Sequence, residues 1–338
     1  MEAAAEDPNA ELRLRQVFIK PDETLARDQI RTLNVLRGQA KCDSLDATDK
    51  FRAIIVEVLN TPDVVTVQNK VQKTRQKKPT RAKKLLAPDD TSIKVDGGIA
   101  PKIATMPTGA ETVSAVNTVN TVGPVIPKNI TPDVAFAAVL KHIAEKAQLT
   151  VNISPAVLKL VSDDGYLRSV FEVNKKGDSY IRSRFGFESV CFLKLYDTTT
   201  SFERPKYGAM NFLNLPGGVT TARSYGAWHL VLNDSVRRRC TLAPGDTFGV
   251  STIGVLDFCT HVLCYLSKGE LRDLIKVALG IIPHGTKYEG GYREIQIHGE
   301  VRCDRDFASI NVPKGDANIQ IAEEFSAKYG IPLVIYDP

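Results

Sequence analysis

The chain contains no C-x-x-C pair, no H-E-x-x-H and no G-x-S-x-G. Its six cysteines are Cys42, Cys191, Cys240, Cys259, Cys264 and Cys303. Cys259 and Cys264 are five apart, and no clustered histidine completes a zinc site, so no metal is expected. The missing serine elbow argues against a Ser-His-Asp hydrolase. The first residues, MEAAAEDPNAELRLRQ, are polar and acidic and lack the apolar core of a secretory signal. No stretch approaches the ~20 apolar residues of a membrane span. These absences lead us to expect an intracellular protein, cytoplasmic or nuclear, without a membrane span and with reduced, structural thiols.

What is present suits a soluble globular chain. Of 338 residues, 43% are hydrophobic and 25% charged. The net charge of +5 is unevenly spread, because NKVQKTRQKKPTRAKK (69–84) is strongly basic with almost no apolar content. Around it, residues 61–130 are rich in Thr, Val, Gly, Pro and Asn and offer nothing that buries a core, so a disordered linker is expected. Residues 70–84 suit nucleic acid, an acidic protein or membrane surface, or an import receptor; they equally suit a solvated linker. They lack interleaved aromatics, so base stacking is not indicated.

Before the linker, 21–38 has apolar residues at helical spacing and Gly38 as a stop, and 46–60 reads as a second helix. Residues 1–60 are therefore expected to form a helical hairpin. After the linker, 131–338 is expected to fold as an α+β domain. Thr131-Pro132 starts a helix in which His142 is expected at the surface or boundary. LTVNI (149–153) reads as a strand, Ser154-Pro155 as a helix start, and YLRSVFEV (166–173) as a strand. Residues 207–215 and 222–232 read as a hairpin or near-hairpin across Pro216-Gly217-Gly218. A helix over 268–282, strands at 292–301 and 306–313, and a final helix and strand complete the chain. Helices and strands do not alternate regularly. The expected architecture is a mostly antiparallel, split sheet with packed helices.

YREIQIHGEV (292–301) carries the sharpest question. With a period of two, Tyr292, Glu294, Gln296, His298 and Glu300 share one side, opposite Ile295 and Ile297. That face is either the wet side of a sheet or the floor of an active site.

DGYLRSVFEVNKKG, PKYGAMNF, RSYGAWHLVLND, RRCTLAPGDTF and YREIQIHGEVRCDRD follow one another. In order and spacing, over roughly 149–312, they resemble the mainly bacterial family catalogued as domain of unknown function 3626. The resembling positions include Tyr166, Arg168, Ser169, Phe171 and Glu172, then Tyr207 to Asn211. Tyr225, Gly226 and His229 follow, and then Glu294, Gln296, His298 and Gly299. The chain departs from the family at Asn152 and Ser154, where the family carries imidazoles, and in the 174–180 loop. The Glu-x-Gln strand is also similar to that of ADP-ribosyltransferases. That analogy implies NAD as substrate and cleavage of its nicotinamide–ribose bond. Glu294 would stabilise the oxocarbenium ion, with Gln296 and His298 beside it as catalytic candidates. Arg168, Tyr207, Asn211, Ser224 and His229 would bind substrate. A cluster of His229, His298, Glu172 and Glu294 around an ion is the competing chemistry, and it lacks a compact signature. His261 and His284 read as structural. The alternative to an enzyme is a domain that binds a small ligand or protein without turning it over, with the basic linker for nucleic acid or acidic partners.

Overall fold

In the computed structural model, residues 27–61, 125–173, 177–282 and 291–338 are described. The basic run 69–84, most of the expected linker, and His284 lie outside them. The first helix, α1 (Arg27–Asp46), does not stop at Gly38. Leu33, Leu36, Arg37, Ala40 and Ser44 keep one buried stripe at helical spacing through the glycine, and that packing outweighs its poor helix propensity. Helix α2 (Thr48–Asn60) buries Phe51, Ile55 and Val58. The Phe51 ring meets Phe136 of α3 (Pro132–Glu145) at 5.9 Å, so both N-terminal helices share the main core.

Thr131 caps α3, accepting from Val134 N, with Pro132 as its first residue. His142, expected near the surface, is buried, and its Nε2 meets the Phe212 carbonyl oxygen at 2.6 Å. Strand β1 (Gln148–Ile153) leads into α4 (Pro155–Asp164), which Ser154 caps and Gly165 ends in a left-handed conformation at φ 80°. The expected strand over 166–173 is absent. Tyr166 makes one isolated bridge to Arg302, and Val170–Val173 form a short helix, α5. The reason lies in SVFE: Glu172 N donates to Ser169 Oγ while Ser169 N donates to Glu172 Oε2, the reciprocal cap that starts helices. Helix α6 (Asp178–Cys191) follows.

The remaining strands are β2 (Lys206–Asn211), β3 (Trp228–Leu232), β4 (Cys240–Leu242), β5 (Gly254–Val255), β6 (Glu294–Ile297), β7 (Phe307–Pro313) and β8 (Leu333–Tyr336). Between them lie α7 (Thr260–Leu263), α8 (Lys268–Ala278) and α9 (Ile319–Tyr329). Together they make an α+β fold on one sheet of order β5-β4-β6-β2-β1-β3-β7-β8, antiparallel except for β7–β8. The expected hairpin of β2 and β3 is not formed. β1 lies between them, and Thr220–Tyr225 is a 3-10 turn rather than strand. Gly226 permits the crossing, since a Cβ there would stand 2.1 Å from the Ile153 carbonyl.

Register assigns the two faces. Leu149 opposes Met210, Val151 opposes Leu230 and Leu242 opposes Ile295, and this face joins the helical core. On the other face Asn152 opposes His229, Tyr207 opposes Gln296, Ala209 opposes Glu294 and Gln296 opposes Thr241. The polar side of YREIQIHGEV is not wet: Glu294, Gln296 and His298 are 3%, 0% and 0% exposed. Among the described residues, no helix is long and apolar enough to cross a membrane.

Candidate functional site

A cavity of about 190 Å³ opens on the polar face of the sheet. Tyr207 and Glu294 form part of its floor, Tyr180 and Arg184 reach in from α6, and Tyr225, Phe248 and Tyr292 supply aromatic walls. Asn152 lies at one side.

Glu294 is the most constrained acid there. Thr247 Oγ1 donates to its Oε1 at 2.5 Å, Gln296 Nε2 at 3.0 Å and Thr247 N at 3.3 Å, while Arg184 Nη2 stands 3.8 Å from the same oxygen. Among the described residues every partner falls on Oε1, so Oε2 has no protein donor. Burial raises the carboxyl pKa, and Arg184, Thr247 and Gln296 act against that shift. Glu188 of α6 is also held up by burial, against the Tyr207 hydroxyl and Arg204, whose Nη1 donates to Oε2 at 2.8 Å.

Arg184 is a buried cation of the site, as is Lys206, whose pKa burial lowers to about 8. Its guanidinium carbon lies 3.6 Å from the centroid of Tyr207 and 4.9 Å from that of Phe248. Glu188, Asp246 and Glu294 surround it at 3.7–3.8 Å, too far for good hydrogen bonds, and among the described residues its Nε has no hydrogen-bond partner. It is positioned by stacking and by the summed field of three carboxylates. Sequence reasoning missed Arg184, Glu188 and Thr247. The available signal was the i,i+4 spacing of Arg184 and Glu188, which becomes informative only once 178–191 is read as a helix.

Of the residues singled out in the sequence, Glu294, Tyr207 and Arg168 line this one cavity. Arg168 is not on a strand. It sits on the loop before α5, its side chain 46% exposed and paired with Asp164 at 2.5 Å. Gln296 lies directly behind Glu294. His298 is further back, its Nδ1 2.5 Å from Tyr196 Oη and its Nε2 3.0 Å from Thr241 Oγ1, and burial lowers its pKa to about 3. Asn211 closes the 211–215 turn, with Nδ2 on the Leu215 carbonyl oxygen and Oδ1 on Leu215 N. Ser224 is exposed on the 3-10 turn, outside the cavity lining. His229 is fully buried under Gly218 and Tyr336, with neither ring nitrogen hydrogen-bonded among the described residues, and burial lowers its pKa to about 4.

The expected departures at Asn152 and Ser154 differ in place, and the third, the 174–180 loop, lies partly outside the described residues. Asn152 borders the cavity and donates to the Gly226 carbonyl oxygen at 3.0 Å, whereas the Ser154 hydroxyl is spent capping α4. Glu172 caps α5, and His229 and His298 are held apart from it. Among the described residues no three His, Cys, Asp or Glu side chains gather to hold a metal ion. Compared with known families and curated proteins, the chain matches no family model and no curated protein.

Proposed function

We propose that this cavity cleaves the nicotinamide–ribose bond of NAD, in the manner of ADP-ribosyltransferases, with Glu294 as the acid that stabilises the transition state. The observation that carries this reading is the one-sided engagement of Glu294. Three hydrogen-bond donors hold Oε1, and among the described residues Oε2 is left without one on a carboxylate that lines an aromatic cavity. As the C–N bond breaks, its electron pair passes to the pyridinium nitrogen and nicotinamide leaves neutral. Positive charge develops on the ribose ring, and a fixed carboxylate is the group that stabilises it. Water or an acceptor nucleophile then attacks the anomeric carbon and loses its proton.

The walls suit the substrate. Tyr180, Tyr207, Tyr225, Phe248 and Tyr292 give the cavity an aromatic lining that suits a pyridinium ring. The cavity is small beside pockets that enclose a whole ligand, so it takes the ring and adjoining ribose. The phosphates then lie toward the rim, near Arg168.

Calorimetry of the full chain with NAD tests the binding half of the reading. Micromolar binding weakened by Phe248→Ala supports it, and absence of heat with NAD rejects it. NAD binding without nicotinamide release favours the alternative, a ligand-binding domain. Ser154 in its capping role, where the family carries an imidazole, is the observation on that side. For residues 70–84 we propose nucleic acid or an acidic protein as partner. Salt-dependent nucleic-acid binding that disappears on deleting them is the expected result.

A further inference from the structure

Behind Glu294 a chain of side chains runs through the buried face of the sheet. Gln296 Nε2 donates to Glu294 Oε1 at 3.0 Å, and Thr241 Oγ1 donates to Gln296 Oε1 at 2.7 Å. Thr241 Oγ1 also meets His298 Nε2 at 3.0 Å, and His298 Nδ1 meets the Tyr196 hydroxyl at 2.5 Å. Gln296, His298, Thr241 and Tyr196 are all fully buried.

These contacts have only one consistent direction. A threonine hydroxyl has one proton, and Thr241 gives it to Gln296. The contact with His298 must then be donated by His298, which places the ring proton on Nε2 and leaves Nδ1 to accept from Tyr196. The reverse direction would require a proton on Glu294 Oε1. That oxygen already accepts from the fixed Thr247 N–H, so a proton there would oppose a backbone donor. Arg239 holds the far end from the backbone, donating from Nη1 to the His298 carbonyl oxygen at 2.8 Å.

We infer that Tyr196, His298 and Thr241 are positioning residues that act through Gln296. They fix its amide so that an N–H, not a carbonyl, faces Glu294, and this keeps the buried carboxylate ionised and its Oε2 turned to the cavity. The inference rests on the reading of Glu294 as the catalytic acid, but its geometry can be tested without activity. His298, expected from the sequence to act in catalysis, is assigned here a role in which Thr241, Gln296 and Glu294 stand between it and the reacting atoms.

The test uses the full chain with ring-¹⁵N-labelled histidine, where five histidines give a sparse spectrum. His298 should be the Nε2–H tautomer, with Nδ1 as acceptor, across neutral pH. Thr241→Val and Tyr196→Phe each remove one hydroxyl at nearly constant volume. In Thr241→Val the Glu294 carboxyl, followed by ¹³C NMR, should titrate roughly 1 unit higher, because one donor to a charged group is no longer held. If the protein releases nicotinamide, the acid limb of kcat should move by the same amount, and Thr241→Ser should restore it. A structural role alone would lower stability and leave the titration in place. His298 protonated on Nδ1 in the parent protein, or an unmoved Glu294 titration in folded variants, overturns the inference. Failure of nicotinamide release with the expected tautomer and titration rejects the enzyme reading and leaves the positioning chain standing.

Discussion

Asp306→Asn is the substitution whose cost follows most directly from the structure. Asp306 is 2% exposed and lies 3.0 Å from Arg239 Nη2, itself on a side chain only 1% exposed. The contact is off the N–H direction and so is an ion contact rather than a hydrogen bond. The carboxylate also accepts from Arg302 N at 2.8 Å and from Arg305 Nε and Nη2 at 3.0 and 2.7 Å. Burial pushes the Asp306 carboxyl up, but hydrogen bonding to Arg305 and the charge of Arg239 outweigh it, so its pKa is depressed. Asparagine keeps the shape and removes the charge, leaving Arg239 buried without its counter-ion. Breaking a buried pair in this way costs about 3–5 kcal/mol, a large part of the ~5–15 kcal/mol that holds a typical domain. The pH dependence has a definite sign. A depressed acid contributes stability above its unfolded pKa, near ~3.9 for aspartate, and loses it as pH falls through the folded value. The deficit of the variant should therefore be full at pH 7 and shrink in acid. Urea denaturation followed by Trp228 fluorescence measures it, since the chain has one tryptophan and it is fully buried. The midpoint should fall with the slope unchanged. A loss below about 1 kcal/mol at pH 7, or a deficit that grows in acid, would refute the reasoning.

Three further outcomes are expected. Glu294→Gln should unfold no earlier than the parent at pH 7.5, because a carboxyl with a raised folded pKa costs stability as pH rises through that value; the difference should vanish in acid, as read by melting temperature. Ser169→Ala should cost about 1 kcal/mol in chemical denaturation by removing one half of the α5 cap. Gly226→Ala should lower stability by about 1–3 kcal/mol or more, because the added carbon meets the Ile153 backbone, and soluble yield with melting temperature checks it.

Much of the fold could be read from local pattern. The Thr131-Pro132 and Ser154-Pro155 starts stand where their chemistry puts them, and the period-two strand read over 292–301 forms at 294–297. The misreadings share a cause. Gly38 resembles a stop until its neighbours are seen to bury a stripe on both sides of it. YLRSVFEV alternates like a strand, but the Ser169–Glu172 cap selects a helix. The pairing of β1 between β2 and β3 joins residues about 60 to 80 apart, and a turn signal cannot reveal such a partner. The site was legible where a strand displays its residues, at Tyr207 and Glu294. It was not legible at Arg184, whose buried charge depends on Tyr207, Phe248 and three acids drawn from distant segments.

The central claim is that Glu294 stabilises a ribosyl cation in this cavity. The most direct measurement is nicotinamide release from NAD by the purified full chain, beside Glu294→Gln. The substituted amide keeps an oxygen for Thr247 and Gln296 and replaces only the charge at Oε2. The account predicts release by the parent chain and a loss of roughly 100-fold or more in the variant, the scale of removing one transition-state electrostatic contact. Equal release by both proteins, or none from a parent chain that binds NAD, would contradict it.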